Sequence, residues 1–130
     1  MIVVDASVVV QFLFDPATAE RVARRAARSA LHAPELLDLE VLQVLRRYRL
    51  RERLPAGRAM QAVSDFADLR IERHPHRPLR ERIWELHRHL TAYDAAYVAL
   101  SEALDAPLLT LDERLARSRG HRAVVELLRS

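Results

Sequence analysis

Four short strand candidates alternate along this chain with longer stretches of helical character, and that alternation limits the fold more than any other feature. The first, Ile2-Val3-Val4, is β-branched and stops at Asp5, as a buried strand does when it reaches a polar residue. Ser7 can help open the helix that follows. Residues 16–31 begin with Pro16 and continue in alanine, arginine and leucine, which suit a helix. His32-Ala33-Pro34 reads as a break. From Glu35 to Arg53, apolar residues at 37, 41, 44, 45 and 48 form a helical stripe, closed by Leu54-Pro55-Ala56-Gly57. Residues 58–69 repeat the helical pattern, Ile71 to His74 make a second strand candidate, and Pro75 and Pro78 separate it from a helix over 79–90. Another helix spans about 92–104. Residues 107–111 predict a buried strand, 112–118 a short helix, and 123–128 a last strand or terminal helix. This order belongs to the α/β class, a central parallel sheet flanked by helices in three α/β/α layers, with sites beyond the carboxyl ends of the strands.

The 130 residues suit one domain, because two halves would each be too short to bury a good core. Half the residues are hydrophobic, 30% are charged and only 2 are glycine, which favours a helix-rich globule over disorder or an all-β sandwich. The lack of cysteine excludes disulfides and thiolate metal sites, and a reducing cytoplasm is the simplest home. The apolar start lacks leading positive charges, carries Asp5 and Gln11, and is too short to span a bilayer; no membrane insertion is expected. All 21 basic residues are arginine. Guanidinium groups suit phosphates, but a complete lack of lysine points first to codon bias, and a net charge of +3 is weak support for nucleic acid. Function must therefore rest on the acids.

Asp5 closes the first strand and Asp112 follows Leu-Leu-Thr-Leu, so both carboxylates emerge at carboxyl ends of parallel strands. Each also precedes a helix, where aspartate is a favoured N-cap. Glu40 lies angularly among Leu36, Leu37 and Val44, beside the apolar stripe, and needs a partner: a metal, or an arginine in a buried salt bridge. Asp38 points to a more polar side of that helix. Asp94, in Thr91-Ala-Tyr-Asp94, has the spacing of a capping box. Capping explains each aspartate singly but not the set. Converging carboxylates repel unless a cation neutralises them, and an all-oxygen cluster suits Mg²⁺ or Mn²⁺. Such an ion activates water and neutralises charge on a phosphate, as phosphodiester hydrolysis requires.

Four segments carry a family resemblance: Val-Val-Asp5-Ala-Ser7; Pro34 followed by Glu40-Val-Leu-Gln-Val-Leu-Arg; Leu-Thr-Ala-Tyr-Asp94-Ala-Ala-Tyr-Val-Ala-Leu; and Leu-Thr110-Leu-Asp112-Glu-Arg-Leu-Ala. Together, and in this order over essentially the whole chain, they resemble a PIN domain of VapC toxin type. The resemblance implies metal binding and catalysis by Asp5, Glu40, Asp94 and Asp112, with Ser7 and Thr110 in support. It also implies endonuclease action on RNA, a homodimer, and a small VapB-type antitoxin that blocks the site. Whether Glu113 assists Asp112 is left open.

His74-x-His76 and His87-x-His89 invite a zinc reading, but residues two apart on a helix diverge, and 87–89 lie in a helical stretch; zinc is not expected. Tyr93 and Tyr97 are expected in the core or a dimer interface. A receiver domain would look for a lysine near the C-terminus, and an aspartyl phosphatase for a second aspartate where Ser7 stands. A housekeeping PIN nuclease and a non-enzymatic binding module remain as alternatives. The apolar surface of 16–31 and 35–53 is expected to form a groove for an amphipathic partner helix, with an arginine of that partner reaching the acids.

Overall fold

A computed structural model describes residues 1–51 and 53–129. The elements run β1 (Ile2–Val4), α1 (Ala6–Phe14), α2 (Pro16–Ala26), β2 (Leu31–Pro34), α3 (Leu36–Leu50), α4 (Ala56–Asp68), β3 (Ile71–His74), α5 (Arg80–Glu85), α6 (Ala92–Leu104), β4 (Leu108–Thr110), α7 (Glu113–Ala116) and β5 (Val125–Leu127). The strands form one sheet, ordered β3-β2-β1-β4-β5, and every pairing is parallel. Parallel strands are covered on both faces, which is why the central ones read as unbroken apolar runs such as Ile-Val-Val.

Side chains alternate across a strand. Val4, Leu31 and Ile71 meet Phe12 of α1 and Val22 of α2 on one face. On the other, α6 packs against β1, β2 and β4. Ala95 to Ser101 of α6 are all buried, as in a helix surrounded by core, so Asp94 stands where this buried run meets solvent. Glu102, near the end of α6, is an internal anchor. Its side chain is 2% exposed and accepts bidentately from Arg82 of α5 at 2.7 and 3.0 Å, and from the Arg122 N–H at 2.9 Å. It ties α5 and the approach to β5 onto α6.

Three sequence expectations need correction. The break at His32-Ala33-Pro34 is strand β2, which joins β1 to β3. A four-residue run with a histidine, and a proline at its end where a missing N–H is tolerated, carries little strand signal of its own. The helix over 16–31 ends at Ala26, because 31–34 are taken by that strand. The helix over 79–90 ends at Glu85; three-residue bonds, His87 N–H to Trp84 O and His89 N–H to Leu86 O, turn the chain instead. Of the strand or terminal helix expected over 123–128, the structure forms the strand, Val125–Leu127. Glu52, inside the helix expected over 35–53, lies outside the described residues.

Candidate active site

Asp5 and Asp112 follow neighbouring strands, β1 and β4, and two hydroxyls lash those strand ends together. The Ser7 hydroxyl donates to Asp5 Oδ1 at 2.6 Å and accepts the Leu111 N–H at 3.0 Å. The Thr110 hydroxyl donates to Asp5 Oδ2 at 2.5 Å and accepts the Asp112 N–H at 3.0 Å. Asp5 also caps α1 by accepting the Val8 N–H, so the carboxylate is held from three directions. Burial nonetheless raises its pKa above the ordinary carboxylate value, with the Asp94 charge adding to the rise and the three hydrogen bonds opposing it.

Glu40 projects from α3, and the Tyr97 hydroxyl of α6 donates to its Oε1 at 2.6 Å. Its pKa is raised by burial first, then by the Asp94 and Asp5 charges, against the Tyr97 bond. Asp94 occupies the first turn of α6, where the Thr91 hydroxyl accepts its N–H at 3.1 Å. Burial and the Asp112 charge raise its pKa, and Arg114 opposes them. The structure thus brings the four acids into one mutually repelling group, assembled from two strand ends and two helices. Asp112 gives one oxygen to the Arg114 N–H at the start of α7, so capping and clustering coexist.

Among the described residues, no three of these acids place an oxygen each within 4.8 Å of one another. This loose, all-oxygen set fits a hard divalent cation that keeps several waters, and such a cation relieves both the burial and the repulsion that push the carboxyls toward protonation. Asp38 stands apart in an ion pair with Arg73 at 2.8 Å, and Glu113 faces Arg117 at 3.6 Å. Beside Glu40 lies a groove of about 470 Å³ lined by Ala6, Leu36, Leu39, Gln43, Val44, Arg47 and Tyr93. This groove draws on residues of 35–53 and on none of 16–31. Residues of α2 line a separate apolar cleft with Phe12, Leu69 and Ile71.

Tyr97 is the participant that the sequence pattern did not reveal. It is buried like a core residue, yet it supplies the donor that Glu40 lacked. The available signal was its position three residues after Asp94, on the same helical face.

A PIN-domain family model matches residues 2–120. Ribonuclease VapC12 of Mycobacterium tuberculosis is 38% identical over 128 residues, covering 98% of this chain and 99% of that one. The chain belongs to the VapC family of PIN-domain ribonucleases. Ribonuclease VapC9 of the same organism is 43% identical over 116 residues, 89% of each chain. The crystal structure of VapBC2 from Rickettsia felis, bound to a DNA fragment from their promoter, superposes on this VapC-family domain with a TM-score of 0.71 at 14% identity, over 98% of both chains. It shares the fold. Nucleases of the PIN family use divalent metal ions.

Proposed function

We propose that this chain, folded as a single PIN domain, is the toxin of a VapBC-type toxin-antitoxin module, an endoribonuclease that hydrolyses RNA phosphodiester bonds. Asp5, Glu40, Asp94 and Asp112 hold the cation and form the catalytic site; Mg²⁺ is the expected ion, with Mn²⁺ able to take its place. What supports this most is the electrostatic joining of four acids from four elements, in a chain whose relatives are named ribonucleases. When bound, the cation supplies activation of the attacking water and neutralisation of charge growing on the phosphate.

The chain's own residues hold the donors and receive the RNA. Ser7 and Thr110 fix both oxygens of Asp5, and Tyr97 fixes one of Glu40, so the carboxylates need little reorganisation. Arg114, whose charge acts on Asp94, and Arg47 on the groove wall can meet flanking phosphates. Tyr93, 66% exposed on the same wall, offers a face on which a base can stack.

A VapB-type antitoxin helix would occupy the groove against Leu36, Leu39 and Val44 and send an arginine among the acids, competing with the cation. The exposed apolar residues Leu42, Leu50, Met60 and Val63 of α3 and α4 suit a homodimer. Action in the cytoplasm agrees with the absence of cysteine and, among the described residues, of any helix long and apolar enough to cross a membrane. Purified chain should cut RNA with Mg²⁺ or Mn²⁺, stop in EDTA and recover when the ion is restored. Undiminished cleavage in chelator contradicts the proposal.

A further inference from the structure

A second group of metal-ligating side chains lies on the outer β2–β3 edge. Parallel register sets His32 opposite Glu72 and Pro34 opposite His74, so the alternation along each strand puts His32, Glu72 and His74 on one sheet face. His32 Nδ1 lies 2.8 Å from His74 Nε2 and 3.5 Å from Glu72 Oε2, and one ligand atom from each of the three falls within 4.8 Å of the others. Ligands on a tetrahedral Zn²⁺ at its usual bond lengths stand about 3.3 Å apart. The two spacings around His32 therefore stand within about half an ångström of that value, and the Glu72 and His74 ligand atoms lie within 4.8 Å of each other.

We infer that His32, Glu72 and His74 form a transition-metal site of Zn²⁺ class, distinct from the four-acid site. Two imidazoles and one carboxylate are a borderline-soft donor set, whereas the nuclease acids are a hard, all-oxygen one. His32 is buried and fixed in place, His74 is half-buried, and Glu72, with 66% of its side chain exposed, leaves a solvent-facing side for a fourth ligand. Burial and the neighbouring His74 lower the proton affinity of His32, against the pull of Glu72. The two sites act on separate surroundings. The charges that bear on His32 are Glu72, His74 and the chain's amino group, while those raising Asp5, Glu40 and Asp94 come from one another and Asp112.

The sequence pattern had offered His74-x-His76. The fold pairs His74 instead with a histidine 42 residues earlier, and His76 Nε2 accepts the Leu36 N–H at the start of α3. With the Glu35 N–H bonded to His74 O, the metal would staple the edge strand just before the helix that carries Glu40.

The test uses untagged full-length chain carrying Asp94→Asn and Asp112→Asn to weaken the acid site, with Co²⁺ as spectroscopic probe and Zn²⁺ as competitor. One Co²⁺ per chain should give the visible absorption of a four-coordinate ion, resist excess Mg²⁺ and be displaced by Zn²⁺, and Zn²⁺ should raise Tm. Removing an outer-shell partner of a metal site typically costs about 10–100-fold in affinity, so loss of a ligand in His74→Ala should weaken binding by more than about 100-fold. Glu72→Ala, at an exposed position, provides a second variant that leaves the core untouched and should also weaken it. Circular dichroism checks the folding of both. Absence of Co²⁺ binding in the acid-site background, or undiminished affinity in folded His74→Ala and Glu72→Ala, overturns the inference. Either result leaves the nuclease assignment standing.

Discussion

Replacing Tyr97 by phenylalanine removes one oxygen and leaves the packing of a 2% exposed ring unchanged. The lost contact is a 2.6 Å bond to the half-buried Glu40 carboxylate. Hydrogen bonds to charged groups contribute about 1.5–3 kcal/mol. With an unfolding entropy of about 2.1 cal/mol/K per residue over 130 residues, Tm should fall by roughly 5–11 °C in metal-free protein at neutral pH. Because the bond favours the ionised carboxylate, it holds the folded-state pKa of Glu40 below where burial alone would put it. The charge-assisted part is present above that folded pKa and fades as pH falls through it, leaving a neutral bond of about 0.5–1.5 kcal/mol. Thermal unfolding followed by circular dichroism across this range in EDTA reads both effects. Cleavage with the ion restored should slow by about 10–100-fold through kcat more than KM, as for a positioning residue. An unchanged Tm, or a loss that does not depend on pH, refutes the account of Glu40.

Asp94→Asn should raise the Tm of metal-free protein near pH 7, because the wild-type carboxyl is pushed above its ordinary value by burial and Asp112; the gain should vanish as pH falls below the ordinary value of 3.8, where both states are protonated. A lower Tm would instead make Asp94 chiefly a helix-start residue. Glu102→Gln should cost about 3 kcal/mol, toward the low end for a broken buried pair because Arg82 is 31% exposed. Arg82 holds the Glu102 pKa down at about 2, so the ion pair's contribution is complete above the ordinary 4.5 and is lost as pH falls toward 2; an acid unfolding series of wild type and variant should converge there. Gly120→Ala should destabilise by about 1–3 kcal/mol, since φ is +88° and a Cβ would crowd the His89 ring; an unchanged urea midpoint contradicts this.

The parts of the fold legible in the sequence were those encoded locally. Ile2-Val3-Val4 and Leu108-Leu109-Thr110 are buried on both faces, so their composition alone marks them. β2 was hidden because its strand character comes from pairing with β1 and β3 and not from Leu-His-Ala-Pro itself. The acids were legible as candidates because they stand at strand ends or beside an apolar stripe. Their shared electrostatics was not, since Asp5 and Thr110 meet across 105 residues and Glu40 and Tyr97 across 57. Such contacts are properties of the assembled sheet.

The central claim is that charge on Asp5, Glu40, Asp94 and Asp112, and not on neighbouring acids, drives metal-dependent RNA cleavage. The most direct measurement is the single-turnover cleavage rate of one RNA in Mg²⁺ for the four amide variants, beside Asp38→Asn, whose carboxylate instead pairs with Arg73. The account predicts that Asp5→Asn, Glu40→Gln, Asp94→Asn and Asp112→Asn each lose about 100-fold or more while still folding, and that Asp38→Asn cuts at the wild-type rate. Cleavage that survives Glu40→Gln and is lost in folded Asp38→Asn would contradict it.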